Sequence, residues 1–175
     1  MNFDQAFETA FDRLIKSEGG YTDDPKDPGS WTGGRQGVGR LLGTKYGIAA
    51  NTYPDVDIKS LTLDKAKAIY HRDWWLRLRA DDMDGAIAYQ VWDFAVNAGM
   101  ETAKRALQRA VGVADDGQIG NITVSAINAM TVTDVIARFN AERLNHYTRL
   151  STWLTFGKGW SNRVAEQLRY MAIDA

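Results

Sequence analysis

The amino-acid sequence predicts a mainly α-helical fold with one small β or irregular region at about residues 20–60. Apolar residues recur at helical spacing in the N-terminal segment and again in most of the chain after residue 62. Between these parts, residues 19–60 hold all three prolines and a concentration of glycines, which interrupt helices. At 175 residues the chain can bury a hydrophobic core without disulfides or a structural metal.

The first helix is expected over about residues 4–17, because Gly19 and Gly20 supply a C-terminal stop. The glycine-rich region that follows is too long for an ordinary connection in a compact domain. We therefore expect two or three short strands within it and a flexible tip near residues 33–43.

Two further helices have recognisable N-caps. Thr62 is expected to cap a helix that runs through Trp75, and Asp84 is expected to cap another that runs through Asn97 and is closed by Gly99. The remaining helices are expected at about 101–111, 123–130, 133–153 and 160–172. The last two are separated in this prediction by a break at residues 157–159, Gly-Lys-Gly.

The composition excludes several kinds of chemistry. The chain has no cysteine and only two histidines, His71 and His146, so disulfides, thiol nucleophiles and cysteine-rich zinc sites are excluded. We expect no metal and no organic cofactor, and hydrolysis would depend on carboxylates. The 21 Lys and Arg residues are balanced by 22 Asp and Glu, which predicts no nucleic-acid partner.

The N-terminus does not have the pattern of a secretory signal. Its apolar residues are interleaved with charges at helical spacing, whereas a signal peptide needs an unbroken apolar stretch. The most apolar later run, residues 86–100, is too short to span a bilayer. We therefore expect a protein that folds in the cytoplasm and does not insert stably into a membrane. We also expect a monomer.

Glu18 is the first candidate for catalysis. It is expected at the C-terminal end of the first helix, where the partial negative charge of the helix would raise the pKa of a carboxyl group. A carboxylic acid that stays protonated near neutral pH can act as the general acid in glycoside cleavage. The alternative is a solvated glutamate in the last helical turn.

Three aspartates follow within nine residues of Glu18: Asp23, Asp24 and Asp27. Two carboxyl groups that flank a glycosidic bond allow one to protonate the leaving oxygen and the other to act as nucleophile or to activate water. Aspartate close before proline is also a common turn former, so we expect two of the three to serve the turn. Asp27 is favoured as the second catalytic group by its spacing, with Asp24 as the alternative.

The chain resembles glycoside hydrolase family 108, the muramidase endolysins of bacteriophages and related prophage and secretion-associated proteins. The matching segments run in the family's order over essentially the whole chain. They are Glu18-Gly-Gly-Tyr21, Asp27-Pro-Gly29, Thr44-Lys-Tyr-Gly-Ile48, Ala68-Ile-Tyr70, Trp74-Trp75, Val91 to Gly99, Leu107-Gln108, Asp116-Gly-Gln-Ile-Gly120 with Thr123, and Gly159-Trp160 with Arg163.

This resemblance implies a lysozyme-like helical fold and hydrolysis of the β-1,4 bond between N-acetylmuramic acid and N-acetylglucosamine in peptidoglycan. It implies Glu18 as the catalytic acid, a catalytic part over residues 1–98, and a peptidoglycan-binding-like part over 99–175 packed onto it. It also implies a lytic enzyme that stays in the host cytoplasm until a holin releases it to the periplasm and cell wall.

The chain departs from the family pattern at one point. In the family the Asp-Pro-Gly element runs almost directly into Thr-Lys-Tyr-Gly-Ile, whereas here residues 30–43 intervene. The family's threonine is therefore matched either by Thr44, from its neighbours, or by Thr32, from its spacing after Asp27. The insertion could be a mobile lip over the sugar groove or a tolerated surface excursion.

Five residues are candidates for contact with the sugar. Asp93 and Asn97 share one helical face, although a structural hydrogen bond and a helix-end cap are the alternatives. Tyr21, Tyr46 and Trp75 could stack on pyranose rings, but most aromatic residues of such a chain belong to its core. We expect only one or two of the three to bind sugar.

Two other functions remain open at this stage. A lytic transglycosylase cleaves the same bond with a single glutamate and leaves an anhydro sugar. A non-catalytic peptidoglycan-binding protein would keep the fold without the activity.

Overall fold

The computed structural model describes residues 3–15 and 20–175, and within them the fold is mainly α-helical, as predicted. The chain divides into two compact units. The smaller consists of the described residues within Phe11–His71, and the larger joins those within Met1–Ala10 to Arg72–Ala175.

The described residues form seven α-helices and one two-stranded sheet. The helices are α1 Phe3–Ile15, α2 Leu63–Tyr70, α3 Gly85–Ala98, α4 Met100–Ala110, α5 Asn121–Asn128, α6 Val132–Thr148 and α7 Trp153–Asp174. The strands are β1 Thr44–Lys45 and β2 Ile48–Ala49. A π-helical turn, His71–Trp75, follows α2, and short 3-10 turns lie at Pro28–Ser30, Leu76–Leu78 and Ala80–Asp82.

The helix caps expected from the sequence are present. The Thr62 side chain accepts a hydrogen bond from the Lys65 N–H at 3.3 Å, and Asp84 accepts one from the Ala86 N–H at 2.8 Å. Gly99, with φ of 94°, ends α3 in a conformation that L-residues rarely adopt. Two polar side chains therefore cap the starts of α2 and α3, and a glycine with positive φ ends α3.

Helix α3 is the centre of the larger unit. Every residue from Gly85 to Ala95 is buried, and the helix packs against α4, α6 and α7. Three aromatic rings meet edge to face, with Phe7 5.3 Å from Trp75 and 6.0 Å from Trp92 between ring centroids.

The predicted break at residues 157–159 is wrong. Helix α6 ends at Thr148, and α7 begins at Trp153 and continues through both Gly157 and Gly159. Gly157 is buried, and a Cβ atom there would lie 2.7 Å from Cδ2 of Trp153. The glycine therefore accommodates the indole ring against the helix and does not end the helix.

The smaller unit contains less regular structure. Strands β1 and β2 pair in antiparallel fashion, with Thr44 opposite Ala49. Thr44 also forms an isolated antiparallel β-bridge with Thr22. Gly43 has φ of 82°, and a Cβ atom there would lie 2.3 Å from the carbonyl oxygen of Thr22. Only glycine fits this approach of two backbones.

The inserted residues form a hydrogen-bonded excursion. Trp31 pairs with Leu41, and the Gly33 N–H donates to the Val38 carbonyl at 3.1 Å; we call residues 31–41 the glycine-rich hairpin. The N–H groups of Leu42 and Gly43 both donate to the carbonyl of Ser30 at 3.0 Å. The stem of the hairpin is therefore closed by hydrogen bonds.

The structural division does not coincide with the division expected at residue 98. That boundary falls between α3 and α4, which pack against each other within the larger unit. The assignment of catalysis to residues 1–98 and of peptidoglycan binding to 99–175 stays a prediction.

Candidate active site

Glu18, the predicted catalytic acid, lies outside the residues that the structure describes. The site is therefore built from the candidates that follow it in the smaller unit. These are Tyr21, Asp24, Asp27, Thr32, Thr44 and Tyr46.

Asp27 is held in a single orientation by the turn that it caps. Its Oδ1 accepts a hydrogen bond from the Gly29 N–H at 2.9 Å, and its Oδ2 accepts one from the hydroxyl of Ser30 at 3.1 Å. Ser30 is fully buried, whereas Asp27 is half-buried. Both carboxylate oxygens of Asp27 are therefore oriented by hydrogen bonds in a half-buried position.

Asp24 has a different environment. It is exposed, its Oδ1 accepts from the Lys26 N–H at 2.9 Å, and its carbonyl accepts from the Asp27 N–H at 3.1 Å. These contacts build the turn that leads to Asp27. The neighbouring Asp23 accepts a hydrogen bond from the hydroxyl of Tyr21 at 3.4 Å.

The two candidate threonines have different hydrogen bonds. The Thr32 hydroxyl accepts from the Arg40 N–H at 2.9 Å and so belongs to the stem of the glycine-rich hairpin. Oγ1 of Thr44 is buried and has no hydrogen-bond partner in the described part of the chain. A buried hydroxyl without a partner costs stability, so Thr44 has a feature that packing alone does not explain.

Tyr21 and Tyr46 are both partly exposed. Burial and the negative charge of Asp23 raise the pKa of Tyr21 above its ordinary value. Tyr46 adopts φ of 53°, and its carbonyl accepts a hydrogen bond from the hydroxyl of Tyr70 at 3.1 Å. The ammonium of Lys45 lies 5.3 Å from the centroid of the Tyr46 ring.

Trp75 is not available for sugar stacking. It is 1% exposed, its ring packs against Phe7 and Trp92, and its Nε1–H donates to Asp81 at 2.6 Å. The prediction that Trp75 could stack on a sugar is therefore wrong. Trp75 belongs to the core of the larger unit.

Asp93 is also a buried structural residue rather than a side chain open to substrate. Its side chain is 6% exposed and pairs with Arg143 and Arg163 at 2.6 Å each. Asn97, one turn further along α3, is exposed, and its Oδ1 accepts a hydrogen bond from the hydroxyl of Tyr147 at 2.6 Å. Of the two α3 candidates, only Asn97 lies at the surface.

Sequence reasoning assigned no role to the groups around Asp93. Arg143 is fully buried, and it lies on the same face of α6 as the buried Ile136, Phe139 and Tyr147. A charged residue within such an apolar stripe is a signal that could have found it. Burial alone would lower the pKa of Arg163, but the hydrogen bonds and charge of Asp93 outweigh it, so that pKa is raised.

The described residues contain no group of three or more histidine, aspartate and glutamate side chains placed to hold a metal ion. No single helix among them is long and apolar enough to cross a membrane. Two helices joined at a bend of 118°, α5 and α6, reach that length and composition only when they are taken together.

Comparisons with known proteins define the class. The solved structure of Brucella abortus SagA has a TM-score of 0.79 and 33% sequence identity, covering 97% of this chain and 95% of that one. The fold is the mainly helical, lysozyme-like fold of glycoside hydrolases. A comparison with curated proteins finds no match.

The family model of Glycosyl hydrolase 108 matches residues 11–99, a range that includes Glu18, Asp27 and Thr44. The protein therefore belongs to glycosyl hydrolase family 108, and it is a peptidoglycan hydrolase.

Proposed function

We propose that the protein is an N-acetylmuramidase that hydrolyses the β-1,4 bond between N-acetylmuramic acid and N-acetylglucosamine. The observation that carries the proposal is the oriented carboxylate of Asp27, nine residues after Glu18, within the segment that matches the family. Such a pair of carboxyl groups can divide the acid and nucleophilic or base roles of glycoside hydrolysis.

In this mechanism Glu18 protonates the glycosidic oxygen as its bond to the anomeric carbon of muramic acid breaks. Asp27 then either stabilises the positive charge that develops on the sugar, while the Glu18 carboxylate takes a proton from the attacking water, or itself accepts that proton. The water oxygen bonds to the anomeric carbon, and the products are two new chain ends. We assign Thr44 a positioning role at this site, because its Oγ1 has no hydrogen-bond partner in the described chain.

The test is digestion of purified peptidoglycan by the wild-type protein and by Glu18→Gln, with mass analysis of the products. We expect reducing-end muramic acid from the wild type and a loss of at least 100-fold in rate from the variant, in the range typical of general acid catalysis. Products lighter by one water would identify a lytic transglycosylase instead. Equal rates for the two proteins would show that Glu18 is not the acid.

We also propose that the enzyme acts as a phage endolysin that reaches the cell wall after holin-mediated release. The support is the sequence resemblance to phage endolysins. Expression in a Gram-negative host with and without a co-expressed holin tests it, and lysis that requires the holin is the expected result. Lysis without a holin would contradict the proposed route.

A further inference from the structure

Asp93 lies between two arginines in the interior of the larger unit. Its Oδ2 accepts from Nη2 of Arg143 at 2.6 Å, and its Oδ1 accepts from Nη2 of Arg163 at 2.6 Å. Nε of Arg163 also donates to Oδ2, at 3.2 Å. One negative charge is therefore shared by two positive charges.

The cluster of Asp93, Arg143 and Arg163 has one more positive than negative charge. Arg143 is fully buried, and its Nη1 has no hydrogen-bond partner in the described part of the chain. Its remaining polar contact is from Nε to the hydroxyl of Tyr147 at 3.1 Å, and the guanidinium lies over the Phe94 ring at 5.0 Å. An uncompensated buried charge is costly, and such violations of packing rules concentrate at functional sites.

The cluster reaches the surface through Arg163 and Asn97. Arg163 is 27% exposed, and its contact with Asp93 uses Nε and Nη2, which leaves Nη1 for another acceptor. Asn97 is exposed, and its Oδ1 is occupied by Tyr147, which leaves its amide N–H groups as donors.

An aromatic ring borders the same place. Trp160 lies one turn before Arg163 on α7 and stacks on Tyr147 with ring centroids 5.0 Å apart and an interplanar angle of 10°. It is partly exposed. Tyr147 thus joins the stacked indole to both Asn97 and the arginine cluster.

We infer that Arg163, Asn97 and Trp160 form a subsite that binds a carboxylate carried by the muramic acid residue of peptidoglycan. Arg163 pairs with the carboxylate, Asn97 donates to an N-acetyl or hydroxyl oxygen, and Trp160 packs against the pyranose ring. Arg143, the second positive charge of the cluster, strengthens the attraction from the interior. The inference rests on the proposed function, since it assigns part of the same substrate.

Two sources could supply the carboxylate. In glycan with its peptides attached, the lactyl group is amide-linked and the free carboxylates belong to the peptide. In glycan stripped of peptide by an amidase, the lactyl carboxylate itself is free. Carboxyl-reduced stripped glycan contains neither, so these three substrates separate the sources.

The experiment measures binding of soluble fragments of each glycan to Glu18→Gln protein, so that cleavage does not interfere. We expect Arg163→Gln in this background to lose about tenfold or more in affinity for the carboxylate-bearing glycan, as for a charge-assisted hydrogen bond. Its affinity for carboxyl-reduced glycan is expected to stay unchanged. If Arg163→Gln lowers the affinity for peptide-bearing glycan but not for stripped glycan, the bound carboxylate belongs to the peptide.

The matched control is Arg169→Gln, an exposed arginine further along the same helix, which is expected to change neither affinity. Because Arg163→Gln also disturbs Asp93, a second variant leaves the buried cluster intact. Asn97→Asp keeps the acceptor for Tyr147, removes the amide donors and adds a negative charge at the rim. It is therefore expected to weaken binding of both glycans, and to weaken binding of carboxylate-bearing glycan more, because only that glycan is repelled by the new charge.

Equal affinity of the Glu18→Gln protein for all three glycans, peptide-bearing, stripped and carboxyl-reduced, would overturn the inference. So would equal losses on both substrates in Arg163→Gln and in Asn97→Asp. These outcomes leave the muramidase proposal standing if the wild type cleaves both glycans. Absence of cleavage with carboxylate-selective binding would instead contradict the muramidase proposal and support the subsite.

Discussion

The hydroxyl of Thr32 accepts a hydrogen bond from the backbone N–H of Arg40 at 2.9 Å, across the stem of the glycine-rich hairpin. The hydroxyl of Thr44, in contrast, is buried and has no hydrogen-bond partner in the described residues. The two threonines that the sequence offered as alternatives therefore differ in what their hydroxyl groups do for the folded chain.

Replacement of each threonine by valine separates the two roles. Thr44→Val is expected to reduce the rate of peptidoglycan hydrolysis at least tenfold while raising the free energy of unfolding by about 1 kcal/mol, since an unpaired buried hydroxyl is removed. Thr32→Val is expected to lose about 1 kcal/mol of stability and to keep its rate within about twofold. Urea denaturation and a turbidity assay measure both; the opposite pattern would make Thr32 the catalytic threonine.

Asp27 can be tested with its turn preserved. Asp27→Asn keeps an oxygen for the Gly29 N–H but loses the negative charge, so we expect a fall in kcat of about 100-fold or more with little change in Tm. Asp24→Asn, at an exposed turn position, is the matched control and is expected to keep kcat within about twofold. Comparable losses in both variants would mean that the whole turn, not the Asp27 carboxylate, determines activity.

Asp93 is expected to matter for stability. Asp93→Asn leaves two buried or part-buried guanidinium groups without their counter-ion, and the expected loss in the free energy of unfolding is about 3–5 kcal/mol. The comparison is Asp115→Asn, whose partner Arg109 is 40% exposed, and that surface pair is expected to contribute less than about 1 kcal/mol. Similar losses at the two positions in urea denaturation would contradict the structural role of Asp93.

Two glycines of α7 offer opposite outcomes for the same substitution. Gly157→Ala is expected to destabilise the protein by about 1–3 kcal/mol, because its Cβ would lie 2.7 Å from the Trp153 ring. A Cβ at Gly159 has nothing within 4 Å, so Gly159→Ala is expected to stabilise the helix by up to about 1 kcal/mol. Thermal unfolding of the two variants decides whether α7 is continuous in solution.

The stability of the protein is expected to fall as the pH drops below neutrality. Burial and the positive charge of Arg109 lower the pKa of His146 from its ordinary value of 6.5. The unfolded chain then binds a proton at this position before the folded chain does, and stability is lost as the pH falls through 6.5.

His146→Gln removes that difference. We expect the variant to lose less stability than the wild type between about pH 7.5 and 5.5, as measured by the midpoint of urea denaturation at each pH. An unchanged pH dependence would assign the effect to other groups.

Helices whose ends are encoded locally could be predicted from the sequence. Thr62, Asp84 and Gly99 act within one or two turns of their own position, and each marks a boundary that the structure has. Gly157 and Gly159 have the same local signature as Gly99, but the Trp153 ring explains the first of them. A contact with an aromatic ring on the same helix is not visible in a composition pattern.

The candidate site was predictable in its residue types and less so in its geometry. The sequence made both Asp24 and Asp27 candidates for the second catalytic carboxylate, and only the hydrogen bonds of the turn distinguish them. The cluster around Asp93 joins residues 50 and 70 positions apart, so the apolar stripe of α6 could indicate that Arg143 is buried but not that it pairs with Asp93. Trp75 satisfied the pattern of a surface aromatic and of a core aromatic equally well.

The Ser30 carbonyl accepts two hydrogen bonds that close the base of the glycine-rich hairpin, so the length of the hairpin can change without opening its base. Because the N–H groups of Leu42 and Gly43 return to the residue from which the hairpin departs, chain can be added or removed between them without moving Asp27 or Thr44. The entropic cost of a longer closed loop grows only slowly with its length. Trp31 and Arg40 donate to the carbonyls of Pro25 and Pro54 and so tie the stem to the rest of the unit. Residues 34–37 at the hairpin tip are therefore where we expect length to vary, and a foreign peptide grafted there is expected to leave the sheet undisturbed.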